Sequence, residues 1–232
     1  QGPHSGKVNI FPKAELGAPR HRLFAMEYYC PLCKNDHKGR FFKAPDEQDL
    51  NRVAKSNMTW AKMRPRFVPD DEIPSGDETN RLHRWGYKRY REMFNARQLL
   101  GLELSARIIS RTSNDRVQNA LSTNFSDLLR YQNMLCRYDT IALKSLDIFS
   151  VHGYPVGLIQ CESNFLGIVN TDKNVCVGSG GWKNIIEKFH KAKSYCDAPF
   201  EVVHEGQRKE IKQIRGEWIG DRLNRGDMGR QR

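Results

Sequence analysis

Apolar and polar positions along the chain change period several times, and each change marks an element. Arg22-Leu23-Phe24-Ala25-Met26-Glu27-Tyr28-Tyr29 is rich in apolar and aromatic residues and predicts a strand. Gly39 followed by Arg40-Phe41-Phe42 predicts the return strand of a hairpin. Asp46 predicts a helix cap, with acids in the first turn and Leu50, Val53, Asn57 and Trp60 along one side to about Met63. Pro65, Pro69 and Pro74 then impose an extended connection. A second helix is expected from Asp77 or Thr79 to Arg97, with Gly86 as its weak point. Asn95 predicts the cap of a third, whose Leu99, Leu100, Leu102, Leu104, Ile108 and Ile109 suggest burial on most sides. Asn114 or Asp115 opens a fourth. Its Val117, Leu121, Phe125, Leu128, Gln132 and Leu135 recur at near-heptad spacing and should pack on the third.

Past Asp147 the texture turns irregular. Residues 147–155 and 157–161 suggest short strands or an extended surface segment, and 164–177 a loop. Gly178-Ser179-Gly180-Gly181 opens a helix from Trp182 to about Tyr195. Apolar runs on either side of Gly206 predict a final hairpin. The fold expected is mainly α with small β additions (α+β). It divides into a hairpin region at 6–45, a helical core at 46–140, an α+β segment at 141–215 and a basic tail at 216–232. Residues 1–5, beginning Gln1-Gly2-Pro3, look like the remnant of a cleavable tag.

Charge changes the picture next. A net charge of +11 over 232 residues favours a polyanionic partner, nucleic acid or a membrane surface. No apolar run approaches the ~20 residues that cross a bilayer, and no secretion signal opens the chain, so a cytoplasmic protein away from membranes is expected. Scattered cysteines in such a chain fit a reducing compartment. The densest cationic stretch is Arg81 to Arg97, where Arg81, Arg84, Lys88, Arg89, Arg91 and Arg97 meet one acid, Glu92. On one helix Arg81, Arg84, Lys88 and Arg91 would share a face, with Tyr87, Tyr90 and Phe94 on the next. That pattern suits phosphates and stacking bases, or a solvated face over an aromatic core. Arg130, Asn133 and Arg137 form a polar end to the fourth helix and either bind phosphates or satisfy local carbonyls.

Cys30-Pro31-Leu32-Cys33 has the spacing of a zinc knuckle, two thiolates on one turn reaching one tetrahedral ion. Two further ligands are needed. His37 is nearby, and a redox pair or two unrelated thiols is the alternative. The glycine-rich turn at 178–181 either seats a phosphate or simply enters a helix, and it lacks the lysine and hydroxyl of a Walker loop. Glu210-Ile211-Lys212 with Asp197 is the acid–x–lysine arrangement of metal-dependent nucleases, a common triplet. His152 fits a turn histidine or an acid–base group.

The runs YCPLCK, GRFFKAP, RFVPDDEIPSGDETNRLHRWGY, FNARQLLGLELS, LLRYQNMLCRYD, FSVHGYPVGLIQCESN and GSGGW resemble the central region of large adenine-specific DNA methylases. In those proteins a zinc-ribbon-containing insert separates the catalytic motifs. The resemblance covers nearly the whole chain after about Arg20. It implies amino-methylation of adenine with S-adenosylmethionine by the parent enzyme, in restriction–modification or phage-defence settings. The chain has no Asp-Pro-Pro-Tyr or Asn-Pro-Pro-Tyr, so no catalytic residue and no S-adenosylmethionine site transfers to it. What transfers is an insert that grips or reads DNA beside the catalytic domain of the same polypeptide. The expected DNA contacts are Arg81, Arg84, Lys88, Arg89, Arg91, Arg97, Arg130, Asn133 and Arg137, with Cys30 and Cys33 holding structural zinc. A protein-interaction insert without nucleic-acid contact is the alternative.

Overall fold

The computed structural model describes residues 14–33, 39–205 and 208–213. Among the described residues helices predominate and every strand pairs in a two-stranded antiparallel ribbon, so the fold is α+β. The chain divides into two compact units that meet in sequence after Asn184.

The first ribbon joins β1 (Met26–Tyr29) to β2 (Arg40–Lys43), in register from Met26↔Lys43 to Tyr29↔Arg40. This is the hairpin the aromatic runs predict. Its closing bond runs from the Cys30 amide to the Gly39 carbonyl, 2.6 Å. Gly39 has φ +76°, and a Cβ there would lie 2.6 Å from the Cys30 carbonyl oxygen, so glycine is required.

α1 (Glu47–Lys62) begins where Asp46 predicts. The Asp46 carboxylate accepts from the Asp49 amide at 3.0 Å, and Asp49 accepts from the Asp46 amide at 3.2 Å. Lys43 donates to Asp46 at 2.9 Å, and with these donors the carboxyl is pulled down to about 2. Tyr28 donates to Asp49 at 3.1 Å, which ties the ribbon to the helix start.

The expected helix from Asp77 or Thr79 to Arg97 is not formed. α2 spans only Asn80–Arg84. Gly86, at φ +85°, donates to the His83 carbonyl at 2.9 Å, and Tyr87 donates to the Leu82 carbonyl at 3.1 Å. Those two bonds are the glycine stop of a helix, with the residue after the glycine folding back on the last turn. Tyr87 and Leu82 are accordingly both buried in one cluster. Gly86 ends the helix rather than weakening it. The chain continues extended, makes a 3-10 turn at Tyr90–Met93 and re-enters helix at α3 (Ala96–Ser110). Arg81, Arg84, Lys88 and Arg91 therefore share no helical face.

Asn95 caps α3 in a reciprocal box with Gln98, both bonds at 3.0 Å. Asn114 caps α4 (Asp115–Leu129), accepting from the Val117 amide at 3.1 Å. α3 packs on α1 and α4. Burial on α3 is narrower than its composition suggests. Leu99, Leu102 and Ile109 are buried, while Leu104 and Ile108 are exposed. α4 stops at Leu129, so Gln132 and Leu135 do not continue it. Residues 131–136 instead form a buried, turn-rich segment.

The core cluster gathers Ile73, Leu82, Trp85, Tyr87, Met93, Leu135 and Val156. Two ribbons went unpredicted: β3 (Tyr138–Asp139) with β4 (Lys144–Ser145), and β5 (Ile168–Asn170) with β6 (Val175–Val177). Residues 147–161 carry no strand; a 3-10 turn at Ile148–Ser150 stands there instead, capped by Asp147. α5 (Trp182–Asp197) starts after the glycine run as expected. A Cβ at Gly180 would meet Tyr131 Cβ at 2.5 Å, and the Gly180 carbonyl accepts from Gln132 at 2.7 Å. Gly180 and Gly181 thus serve close packing at a helix entry. Trp182 stacks on Phe125 and donates to the Ser105 hydroxyl at 3.1 Å. In the second unit β7 (Phe200–Glu205) pairs with β8 (Arg208–Gln213), the hairpin predicted there. Gly206, the tail at 216–232 and residues 1–5 lie outside the described residues.

Candidate nucleic-acid interface

The predicted cationic residues separate into two groups. Arg89 bridges Asp70 at 3.0 Å and Glu72 at 3.2 Å, and Arg91 reaches Asp70 at 3.0 Å. The cause is backbone pairing. The Ile73 amide donates to the Lys88 carbonyl at 2.9 Å and the Tyr90 amide to the Asp71 carbonyl at 3.2 Å, which lays the acidic connection along the basic one. Arg97 is held more firmly. Its Nε donates to Glu162 at 2.8 Å, a second guanidinium nitrogen bonds the other oxygen, and Asn95 joins that oxygen at 2.7 Å. Asn133 is buried and fully used: its amide donates to the carbonyls of Leu129 and Arg130, both at 3.0 Å, and its oxygen accepts from the Leu135 amide at 3.0 Å. Of its two expected roles, the structure displays the local one.

Arg81, Arg84, Lys88 and Arg137 form the other group. All are exposed, and no ion pair ties their side chains to another described residue. Sequence reasoning treated the two groups alike because the partners Asp70, Glu72 and Glu162 are distant along the chain.

Arg130 and Asn133 also line an open cleft of about 670 Å³. Its walls carry four rings, Tyr90, Phe94, Phe149 and Tyr154, with Met93 and Ile148 between them. Phe149 is 73% exposed. Arg130 bonds Asp127 at 2.5 Å and lies 3.7 Å from Asp147, while its buried Nε has no hydrogen-bond partner among the described residues. Burial, then the neighbouring Tyr90 and Glu78, pushes the Tyr154 hydroxyl above its usual value. Such a cleft offers flat apolar faces and a few polar edges. The sequence places Tyr90 and Phe94 with Tyr87 on one helical face, as core or stacking surface; that helix is not formed, and Tyr87 is buried in the core cluster. Phe149 and Tyr154 were not recognisable, because only the fold brings the 148–154 segment against Tyr90 and Phe94.

Cys30 and Cys33 sit together on a 3-10 turn at Pro31–Cys33. The Cys33 thiol, followed by the backbone amides of Cys33 and Leu32, lowers the Cys30 pKa, which favours a metal-binding thiolate. These are two of the four donors a structural zinc ion takes. No group of three or more His, Cys, Asp or Glu suited to a metal occurs among the described residues, and His37 lies outside them. The described donor set is therefore incomplete for zinc. No described helix is long and apolar enough to cross a membrane.

No protein-family model matches this sequence, and neither the curated proteins nor the solved structures contain a match. The fold and cleft define a basic α+β module.

Proposed function

We propose that this chain is a DNA-engaging module that supports adenine methylation carried out elsewhere in a larger polypeptide. The observation that carries the reading is the open cleft walled by Tyr90, Phe94, Phe149 and Tyr154 beside the Arg130 guanidinium. Bases stack on such rings with about 1–3 kcal/mol each, while cations near the backbone supply salt-dependent affinity. Arg81, Arg84, Lys88 and Arg137 are the expected residues free to make those phosphate contacts. The exposed pairs of Arg89 and Arg91 contribute little and can exchange for phosphates. Cytoplasmic DNA in a restriction or phage-defence setting is the partner the methylase resemblance implies, together with the parent's catalytic domain. S-adenosylmethionine belongs to that domain. Zinc at Cys30 and Cys33 would brace the hairpin, and elemental analysis of the purified protein tests it.

The test is fluorescence anisotropy with labelled duplex DNA, intact or carrying an unpaired stretch, titrated across salt concentrations. Affinity is expected to fall steeply with salt. Phe149→Ala with Tyr154→Ala is expected to weaken binding to the unpaired stretch about tenfold. Absence of binding at low salt, or affinity indifferent to salt, overturns the proposal.

The second reading is a protein-interaction insert. Its support is a set of exposed apolar side chains, including Ile141 at 87%, Ile159 at 72% and Leu158 at 70%. Charge reversal of Arg84 and Lys88 separates the two readings. It leaves partner binding and the parent's methylation intact if the insert is a scaffold, and it weakens DNA binding if the module grips phosphates.

A further inference from the structure

A smaller notch lies between the proline-spaced connection and the end of α3. It encloses about 230 Å³ and is lined by Arg64, Arg66, Phe67, Arg107, Ser110 and Arg111. Four guanidinium groups thus face one small volume. The acid bonded to Arg107 is Glu103, which is fully buried. Both its oxygens are already engaged. One accepts from the Arg66 amide at 2.9 Å and from Arg107 Nε at 2.7 Å, and the other accepts from the Phe67 amide at 2.9 Å. Arg107 also donates to the Arg64 carbonyl at 2.8 Å. Burial alone would raise the Glu103 pKa, but the Phe67 and Arg66 amides and Arg107 outweigh it and hold the carboxyl below its usual value.

A buried carboxylate bolts the 64–67 connection to α3 and fixes Arg107 in the notch wall. Arg66 leans over the Phe67 ring at 5.5 Å. Arg64, Arg66 and Arg111 are exposed, and no carboxylate among the described residues pairs with them. The C-terminus of α3 adds only about half a negative charge. Three guanidinium charges therefore remain without a counter-charge, in a site built from rigid parts.

We infer that this notch is a phosphate-binding site, and that its occupant is a backbone phosphate of the DNA strand held by the module. The choice of DNA rests on the function proposed above; the oxyanion chemistry rests on the notch alone. Guanidinium forks match phosphate oxygens in pairs, and the fixed Arg107 reduces the ordering that binding requires. Sequence reasoning passed over these residues because Arg64–Arg66 and Arg107–Arg111 lie about forty positions apart.

The experiment compares the whole chain with its Arg64→Ala/Arg111→Ala variant. Both substituted side chains are exposed and leave the Glu103–Arg107 brace in place, which circular dichroism and thermal melting verify. The first arm follows the thermal shift produced by pyrophosphate. The second measures the slope of log affinity for DNA against log salt. Pyrophosphate protection of the unaltered chain alone, together with a DNA slope shallower by about 2 in the variant, is the expected result. Pyrophosphate protection in a chain that binds no DNA leaves the notch standing as a small-phosphate site and removes the function proposed above. Pyrophosphate protection with an unchanged DNA slope likewise assigns the notch to a small phosphate. An unchanged DNA slope without pyrophosphate protection overturns the notch and spares the module. No pyrophosphate protection together with no DNA binding overturns both.

Discussion

Arg89 and Arg107 both form ion pairs, yet the pairs do different work. Arg89 meets Asp70 and Glu72, whose side chains are 54% and 78% exposed. Arg107 meets Glu103, which has no exposure at all. Water screens the first pairs and competes for every bond, so they neutralise charge locally with little effect on the fold. Glu103 has no such alternative. Each of its oxygens must be satisfied by protein, and the groups that satisfy it come from two separate elements. The lesson is that exposure of the acid, more than the distance of the bridge, decides whether an arginine neutralises or positions.

Glu103→Ala leaves the Arg66 and Phe67 amides and the Arg107 guanidinium without an acceptor, and should lower stability by about 3 kcal/mol or more in urea denaturation. The same group predicts an acid effect. Its folded pKa is depressed, so its contribution is full above the unfolded carboxyl pKa near 4 and is lost as pH falls through the folded value. The stability difference between the native chain and Glu103→Ala should therefore shrink below about pH 4. A difference that stays constant to pH 2 would contradict the assigned bonds.

Gly86→Ala is expected to cost somewhat less, roughly 2 kcal/mol. A side chain is strained at φ +85°, and the new Cβ would fall 2.3 Å from the Gly17 carbonyl oxygen. If melting shows Gly86→Ala to be neutral, the helix stop assigned to that glycine is wrong. Arg89→Ala is the mildest, within about 0.5 kcal/mol, since both its partners are exposed. A loss above 2 kcal/mol would erase the distinction drawn between the two arginines.

Much of the helical framework was legible in the sequence. Asp46, Asn95 and Asn114 cap helices where their residue types and positions say they should, because a cap bond spans only three residues. The β1–β2 hairpin and the 200–213 hairpin were equally local. The failures have different causes. Gly86 occupies a plausible helix interior, but its carbonyl partners and the burial of Tyr87 against Leu82 favour a stop. Arg97 looks like Arg84 in a list of residues, and only Glu162, far along the chain, makes it internal. The ribbons at 138–145 and 168–177 carry too few residues for an alternating pattern to show.

By itself the sequence determined the helix starts, the glycine entry to α5, the paired thiols of the first turn and the surplus of positive charge. Each follows from short-range bonding or from composition. Tertiary structure decided which cations remain free, which rings face one cleft and which arginines crowd one notch. Those outcomes depend on contacts between residues tens of positions apart, whose geometry no local pattern encodes.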